Sequence, residues 1–285
     1  MKRVLAVSGG IDSMTLLDLM AERFPAEELV VATFDHGTRE SSAKDAEFVS
    51  EVASALKLKV YRGKAELGAG VSEEKARAER YRFLREVAFL EKGEIWTAHH
   101  LDDLVETVAI NLVRGTGIRG LAPFSSPGIR RPFIEGEFGE VFDKAKVLTR
   151  AAERGVRFRE DPTNASEDYL RNRVRKRTRE MSREEKLRLF ELFLRQKAVV
   201  KEIDEIIEAI LPEDLRFFRG DFSEMDEKVA LEILRGGLGR AGVSATRPQV
   251  RGFLTAIREY APGKKFNLPN DHLVKMNKHD FQIRV

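Results

Sequence analysis

The sequence predicts an α/β protein in which a twisted parallel sheet carries helices on both faces, followed by a helical linker and a small α+β domain. Three observations carry this. Apolar runs and helical spacings alternate as βαβαβ up to Tyr61, an order that requires parallel pairing through crossover helices. The strands read as continuous apolar runs, as strands covered on both faces must. From about Tyr169 the alternation gives way to long charged helices and then to short mixed patterns. The expected division is residues 1–165, a basic helical linker over 166–210 and a small α+β C-terminal domain over 211–285.

Taken in order, Val4 to Val7 is a short strand ended by Ser8-Gly9-Gly10, and Leu16, Leu17, Leu19 and Met20 recur with helical spacing up to Pro25. Leu29 to Phe34 is a second buried-type strand. Phe48, Val49, Val52, Ala53 and Leu56 mark the next helix, and Leu58 to Tyr61 the third strand. A Glu- and Arg-rich helix over about Ser72 to Leu90 leads into a fourth strand at Ile95 to Ala98, and Leu101 to Val113 is again amphipathic. Ligands then belong at the strand C-terminal ends. Residues 114–136, rich in Gly, Pro, Arg and Ser, read as an active-site loop, and Glu137 to Arg154 as one more helix. One or two long helices follow from Tyr169 to Ile210, and strand-like runs close the sequence at Lys264–Leu268, His272–Met276 and Phe281–Val285.

Composition narrows the chemistry. With 50 Lys+Arg against 47 Asp+Glu in 285 residues, any nucleic-acid surface must come from where the charges lie and not from the net +3. Cys is absent, which excludes disulfides, thiolate zinc sites, iron–sulfur ligation and every route through a Cys nucleophile or persulfide. The apolar run in residues 1–7 is too short for a signal peptide or a membrane span, so a cytoplasmic location without membrane contact is expected.

The first turn carries the strongest local signal. Ser8, Gly9, Gly10, Ile11, Asp12 and Ser13 lie between a strand and a helix, where backbone N–H groups and the helix dipole favour an anion. No Lys follows the glycines, so this is not the Gly-x-x-x-x-Gly-Lys-Ser/Thr loop, nor is it Gly-x-Gly-x-x-Gly. A tight strand-to-helix turn is the plain alternative. The hexapeptide resembles the pyrophosphate loop of the N-type ATP pyrophosphatases, whose fold is the adenine nucleotide α-hydrolase type. That resemblance implies that ATP is a cofactor, that Ser8, Gly9, Gly10 and Ser13 hold its pyrophosphate, and that Asp12 faces a Mg²⁺ ion, because a carboxylate beside a polyphosphate is repulsive unless a hard cation intervenes.

Further segments are similar, in order and spacing, to the tRNA(Ile)-lysidine synthetase family. They are Asp35-His36-Gly37-Thr38-Arg39; Glu73 to Tyr81; Thr97-Ala98-His99-His100-Leu101-Asp102-Asp103 through Glu106-Thr107; Arg114-Gly115-Thr116-Gly117 to Gly120-Leu121; and Glu160-Asp161-Pro162-Thr163-Asn164 with Tyr169 to Arg175. The likeness runs from residue 4 to about 177. It departs from the family pattern at Thr38, where Leu is usual, and at Lys75, where a small residue is usual. The chain is also short for the family. The resemblance implies that C2 of the wobble cytidine of a CAU-anticodon tRNA(Ile) is adenylated through its oxygen and that free L-lysine then displaces AMP, giving lysidine, AMP and pyrophosphate. The partners are then tRNA(Ile) and L-lysine. The oligomeric state stays open, a homodimer included.

The residues can be asked whether they suit that chemistry. A lysine ammonium needs carboxylates to hold it and a base to deprotonate it. Asp103 and Glu106 sit at i and i+3 on a helix and His99 lies four residues before Asp103, so one helical stripe just past a sheet end is expected to carry all three. The plain alternative makes His99-His100 and Asp102-Asp103 a helix cap. His36, His272 and His279 have no partners at ligand spacing, which argues against zinc. Arg77 is expected, from the family motif, to touch phosphate or the reacting base; Glu pairing on its own helix is the alternative. Asp35 is a candidate contact to AMP or a turn former. Arg114, Gly115, Thr116 and Gly117 are candidates to line the pocket of an unstacked base. Residues 171–179 hold six basic residues and no acid, so Arg171, Arg173 and Arg175, with Arg130 and Arg131, are candidate phosphate contacts. Rival readings are an ammonia-using small-molecule synthetase of the NAD or GMP type and a non-catalytic RNA-binding module. A 2-thiolation enzyme is excluded by the absence of Cys.

Overall fold

The structure, a computed structural model, describes residues 1–35, 37, 42–65, 73–124, 126–159, 169–269 and 272–284, without the side chains of 42, 43, 73 and 169–172. The chain divides into two compact units, Met1–Lys197 and Ala198–Val285.

The first unit runs β1 (Lys2–Ala6), α1 (Ile11–Arg23), β2 (Leu29–Asp35), α2 (Ser42–Ala55), β3 (Lys59–Lys64), α3 (Glu73–Leu90), β4 (Gly93–Trp96), α4 (Leu101–Val113), β5 (Ile129–Arg130), α5 (Pro132–Glu135), α6 (Lys144–Glu153), α7 (Tyr169–Arg179) and the start of α8 (Arg183–Ile210). The five strands pair in the order β3-β2-β1-β4-β5, all parallel. Adjacent strand residues point to opposite faces, and this sheet buries both. Leu5 and Val31 enter a core with Leu16, Leu17 and Val49 of α1 and α2, while Val4 and Val30 enter the opposite core with Leu84 and Val87 of α3. That is why the strands read as unbroken apolar runs. The direction of strand addition reverses between β1 and β4, which opens a crevice at their C-terminal ends.

Three expectations need correction. The loop expected over 114–136 contains β5, a two-residue edge strand too short to leave a periodic signal. The helix expected over Glu137–Arg154 is only Lys144–Glu153, because Asp143 caps it by accepting the Lys146 N–H at 2.8 Å. Ahead of that cap, Phe138 and Phe142 turn inward onto Phe133, whose ring stacks on Phe142 at 5.0 Å. The compact unit also runs past residue 165 to Lys197. Phe190 and Phe193 of α8 share a core with Leu101, Leu104, Val108 and Ile134, and three ion pairs tie α7 and α8 down: Arg175 to Glu106, Lys186 to Asp102 and Arg183 to Asp143. The stretch expected as a linker is therefore packed structure as far as Lys197.

The second unit is α+β. It holds the end of α8, β6 (Arg216–Phe218), α9 (Arg219–Glu224), α10 (Glu227–Arg240), α11 (Arg247–Glu259), β7 (Lys265–Asn267), β8 (Leu273–Lys275) and β9 (Asp280–Gln282). Two antiparallel pairs, β6 with β9 and β7 with β8, flank a core built on Phe217, Phe222, Phe253 and Phe281. Among the described residues no helix is long and apolar enough to cross a membrane.

At the opposite end of the sheet from the crevice, Glu91 accepts from Lys2 at 2.8 Å, Lys59 at 2.6 Å and Tyr61 at 2.6 Å. These hydrogen bonds, with the Lys2 one foremost, hold its carboxyl down to about 2. Because the folded value lies below the unfolded one, this stabilisation is complete above the ordinary Glu range and is lost as pH falls toward 2. Glu91→Gln is expected to cost about 1 kcal/mol at neutral pH and nothing near pH 2. Denaturant melts of both proteins across that range check it, and parallel pH profiles would refute it.

Candidate active site

A cleft of about 290 Å³ lies at the C-terminal ends of β1, β2 and β4. Ser8, Gly10, Asp12 and Ser13 form one wall, and Thr97, His99 and Asp103 line it from the β4–α4 junction.

The first wall is a preformed turn. Gly9 has φ +87°, a conformation that strains any residue with a side chain, and Gly10 caps α1 in extended geometry without a side chain to occlude the helix N-terminus. The Ser13 hydroxyl accepts the Ser8 N–H at 3.1 Å and donates to the Gly10 carbonyl at 2.9 Å. From outside, the Arg159 N–H donates to the Gly9 carbonyl at 2.9 Å while its guanidinium holds Asp45 at 2.6 Å. Such a turn offers its N–H groups to an anion without reorganising.

Asp12 enters the cleft from the first turn of α1 and pairs with Lys144 Nζ at 2.5 Å. Lys144 is in turn fixed by its backbone, whose N–H donates to Asp102 at 2.7 Å, and Asp102 also accepts from Lys186 Nζ at 2.6 Å. Sequence reasoning missed Lys144, which lies 132 residues from its partner. One local signal was available. Lys144 and Lys146 open a helix whose first turn has no acid, a placement the helix dipole disfavours and which therefore asks for an anion nearby.

The expected stripe of His99, Asp103 and Glu106 is not one stripe. The helix starts at Leu101 with His100 as its cap, so His99 precedes it. The His99 ring bonds the Thr97 hydroxyl through Nδ1 at 2.8 Å and packs on Phe124 with centroids 5.1 Å apart. Burial, reinforced by the charges of Arg131, Arg77 and Arg80, pushes its pKa down to about 3, so the imidazole is neutral at physiological pH. Asp103 lines the cleft and also accepts the His100 N–H at 2.9 Å, so the capping alternative and the site role hold together. Burial lifts its carboxyl above the ordinary Asp range, and the nearby Asp12 and Glu106 carboxylates lift it further. Glu106 does not line the cleft. It is buried against α7, accepting from Arg175 Nε at 3.1 Å and Nη2 at 3.4 Å.

That pair also corrects the reading of residues 171–179 as unopposed. The acid that answers Arg175 comes from α4, outside the run. Arg173, Lys176, Arg177 and Arg179 are exposed, and the Arg171 side chain lies outside the described residues. Arg80, not the exposed Arg77, lines the cleft; Arg77 lies over the Tyr81 ring at 4.9 Å. Asp35 is buried and accepts the Gly37 N–H at 2.8 Å, as a turn former does. Arg114, Gly115, Thr116 and Gly117 lie away from the cleft wall. Their loop is held by Asn111, which accepts the Thr116 N–H at 3.1 Å and donates to the Gly120 carbonyl at 2.8 Å. His36, Thr38, Arg39 and the segment Glu160–Asn164 lie outside the described residues. No group of three metal-ligating side chains occurs among the described residues. Asp12, a carboxylate beside an anion-binding turn, has the donor chemistry that would hold a hard cation such as Mg²⁺ against a polyphosphate.

A family model for the PP-loop domain matches residues 1–181. The chain belongs to the PP-loop family. Among curated proteins, the tRNA(Ile)-lysidine synthase of Enterococcus faecalis is 37% identical to this PP-loop chain over 183 residues, covering 60% of it and 38% of the relative. The tRNA(Ile)-lysidine synthase of Thermosipho africanus is 31% identical over 247 residues, covering 81% of this chain and 56% of the relative. The match thus spans well under two thirds of either relative's length. Of solved structures, the U34-tRNA thiolase NcsA of Methanococcus maripaludis superposes with TM-score 0.57 at 18% identity, over 69% of this chain and 72% of that one, a likeness of fold. That structure carries a 4Fe-4S cluster, whereas this PP-loop sequence has no Cys.

Proposed function

We propose that this protein joins free L-lysine to C2 of the wobble cytidine of an isoleucine tRNA, consuming ATP to AMP and pyrophosphate. The observation that carries this reading is the convergence, in one cleft, of a preformed pyrophosphate turn with a neutral His99 and the Asp103 carboxylate. The names of the relatives at 31–37% identity support the choice of substrates. In the first step the cytidine oxygen attacks the α-phosphorus and pyrophosphate leaves, held by Ser8, Gly9, Gly10 and Ser13, while Asp12 supplies the carboxylate for Mg²⁺. In the second step Asp103, beside the neutral His99, binds the lysine ammonium and takes its proton; the amine then bonds to C2 and AMP leaves with the former cytidine oxygen. Incorporation of labelled lysine into a tRNA with a wobble cytidine, dependent on ATP and abolished by a wobble uridine, tests the proposal. AMP formation with no lysine incorporated into any such tRNA would reject it.

The same reading assigns tRNA phosphates to the exposed face of α7. Each neutralised phosphate contributes through counterion release, so replacing Lys176, Arg177 and Arg179 by Ala should flatten the slope of log affinity against log salt by roughly 0.7–0.9 for every phosphate no longer neutralised. ATP affinity should not change. An unaltered slope would move the RNA surface elsewhere on the molecule.

A further inference from the structure

Arg131 is 3% exposed, yet among the described residues no carboxylate lies within ion-pair distance of it. Its Nη1 donates to the carbonyl oxygens of Phe124 at 2.7 Å and Ile129 at 3.4 Å, and its Nε has no partner. Glu135, the nearest acid along the chain, is held at 2.5 Å by Arg130. Backbone carbonyls supply partial charge only, and an ion left without a counterion in the interior costs several kcal/mol. An anion from outside would supply the missing full charge. Arg131 lines a second, smaller cavity of about 40 Å³, shared with Phe124, Ile134, Phe190, Phe193, Lys197 and Glu135, whose carboxylate is already engaged by Arg130. A water needs roughly 10–15 Å³ of such space, so the cavity suits a small oxyanion head group.

Position narrows the source of the anion. The Phe124 ring separates this cavity from the cleft: the Arg131 guanidinium carbon lies 4.5 Å from its centroid, and the His99 ring 5.1 Å. Phe124 holds that place with φ +64°, a left-handed conformation that costs a bulky residue about 1–3 kcal/mol. The ring thus has the buried cation of Arg131 on one side and, on the other, His99, which lines the cleft together with Asp103. We propose that Arg131 forms a subsite for the α-carboxylate of the amino-acid substrate, which sets the amino acid so that its side-chain ammonium reaches Asp103 and His99. This rests on the lysine-transfer reading above. An RNA phosphodiester offers similar oxyanion chemistry, so the test must separate the two sources.

The test uses the full chain with ATP and a wobble-cytidine tRNA, and compares L-lysine with cadaverine, which has the same amine and chain but no carboxylate. Wild type should prefer L-lysine by at least about tenfold in kcat/KM, and Arg131→Met should raise the KM for L-lysine about 10- to 100-fold, the range for loss of a charged hydrogen bond. The kcat/KM for cadaverine should fall far less than that for L-lysine, the KM for tRNA should stay unchanged, and Arg131→Lys should recover part of the loss. If L-lysine and cadaverine lose activity alike, Arg131 serves packing and the subsite is wrong. A raised KM for tRNA with a flatter salt slope would assign the oxyanion to RNA and overturn it equally. Calorimetric titration of wild type with L-lysine and with lysinamide decides the question if Arg131→Met does not fold: lysinamide should bind at least about tenfold more weakly. Equal binding would remove the subsite while leaving lysine transfer intact. Weaker lysinamide binding in a protein that modifies no tRNA would uphold the subsite and reject the transfer reading.

Discussion

Asp12→Asn is expected to lower the rate of AMP formation by at least about a hundredfold, equivalent to roughly 2.7 kcal/mol of lost transition-state stabilisation. The substitution preserves shape and removes the only carboxylate that the pyrophosphate turn presents to the cleft. It leaves the turn itself intact, since Gly9, Gly10 and the Ser8–Ser13 hydrogen bond do not involve the Asp12 side chain. Loss of the acid from the first turn of α1 and of the pair with Lys144 should cost the fold no more than about 1 kcal/mol. The measurement is AMP release by chromatography beside a melting curve. Undiminished AMP release from a folded variant would remove Asp12 from the chemistry, and a collapse in melting temperature would make it a structural residue.

Asp103→Asn is expected to separate the two half-reactions. Adenylation of the RNA needs the pyrophosphate turn, whereas amine transfer needs a carboxylate to bind and deprotonate the incoming ammonium. The variant should accumulate adenylated tRNA and slow transfer by roughly 10²- to 10⁴-fold, the usual range for a general base. The Asn oxygen can still accept the His100 N–H, so the start of α4 survives. Because burial raises the Asp103 carboxyl, wild-type transfer should fail on acidification at a pH above that of an ordinary Asp, and the variant should lack this acid limb. Normal lysine transfer by Asp103→Asn would reduce the residue to a helix cap.

Much of the fold was legible because strong periodicity and strong burial coincide. The runs at Val4–Val7 and Leu29–Phe34 are apolar on both faces and could only be interior strands, and α4 begins and ends where its amphipathic pattern does. Elements decided by tertiary contact were not legible. Ile129–Arg130 forms a strand only because β4 offers it an edge, and Phe138 to Phe142 leave the helical path to fill space around Phe133. The site shows the same division. The Ser8–Ser13 turn is local and reads from six residues. The pairs Asp12–Lys144 and Glu106–Arg175 join residues far apart in sequence, and no pattern within one helix reveals that an Arg in a basic run already has its acid. His99 was read as helical but lies one residue ahead of the cap, because the cap falls on His100, a residue with no strong capping preference.

The strand order has a consequence for how the protein comes into being. β1 is made first and sits at the centre of the sheet, but its neighbour β4 lies beyond residue 92, with Lys2 in register with Gly93. During synthesis Val4 and Leu5 must therefore wait, with one edge unpaired, for some ninety residues to leave the ribosome. The cleft waits longer still, since Asp12 meets Lys144 only after α6 exists. Long-range parallel pairing of this kind is slow relative to local helix formation. Nascent chains of this protein thus have a built-in interval in which a sticky central strand precedes its cover.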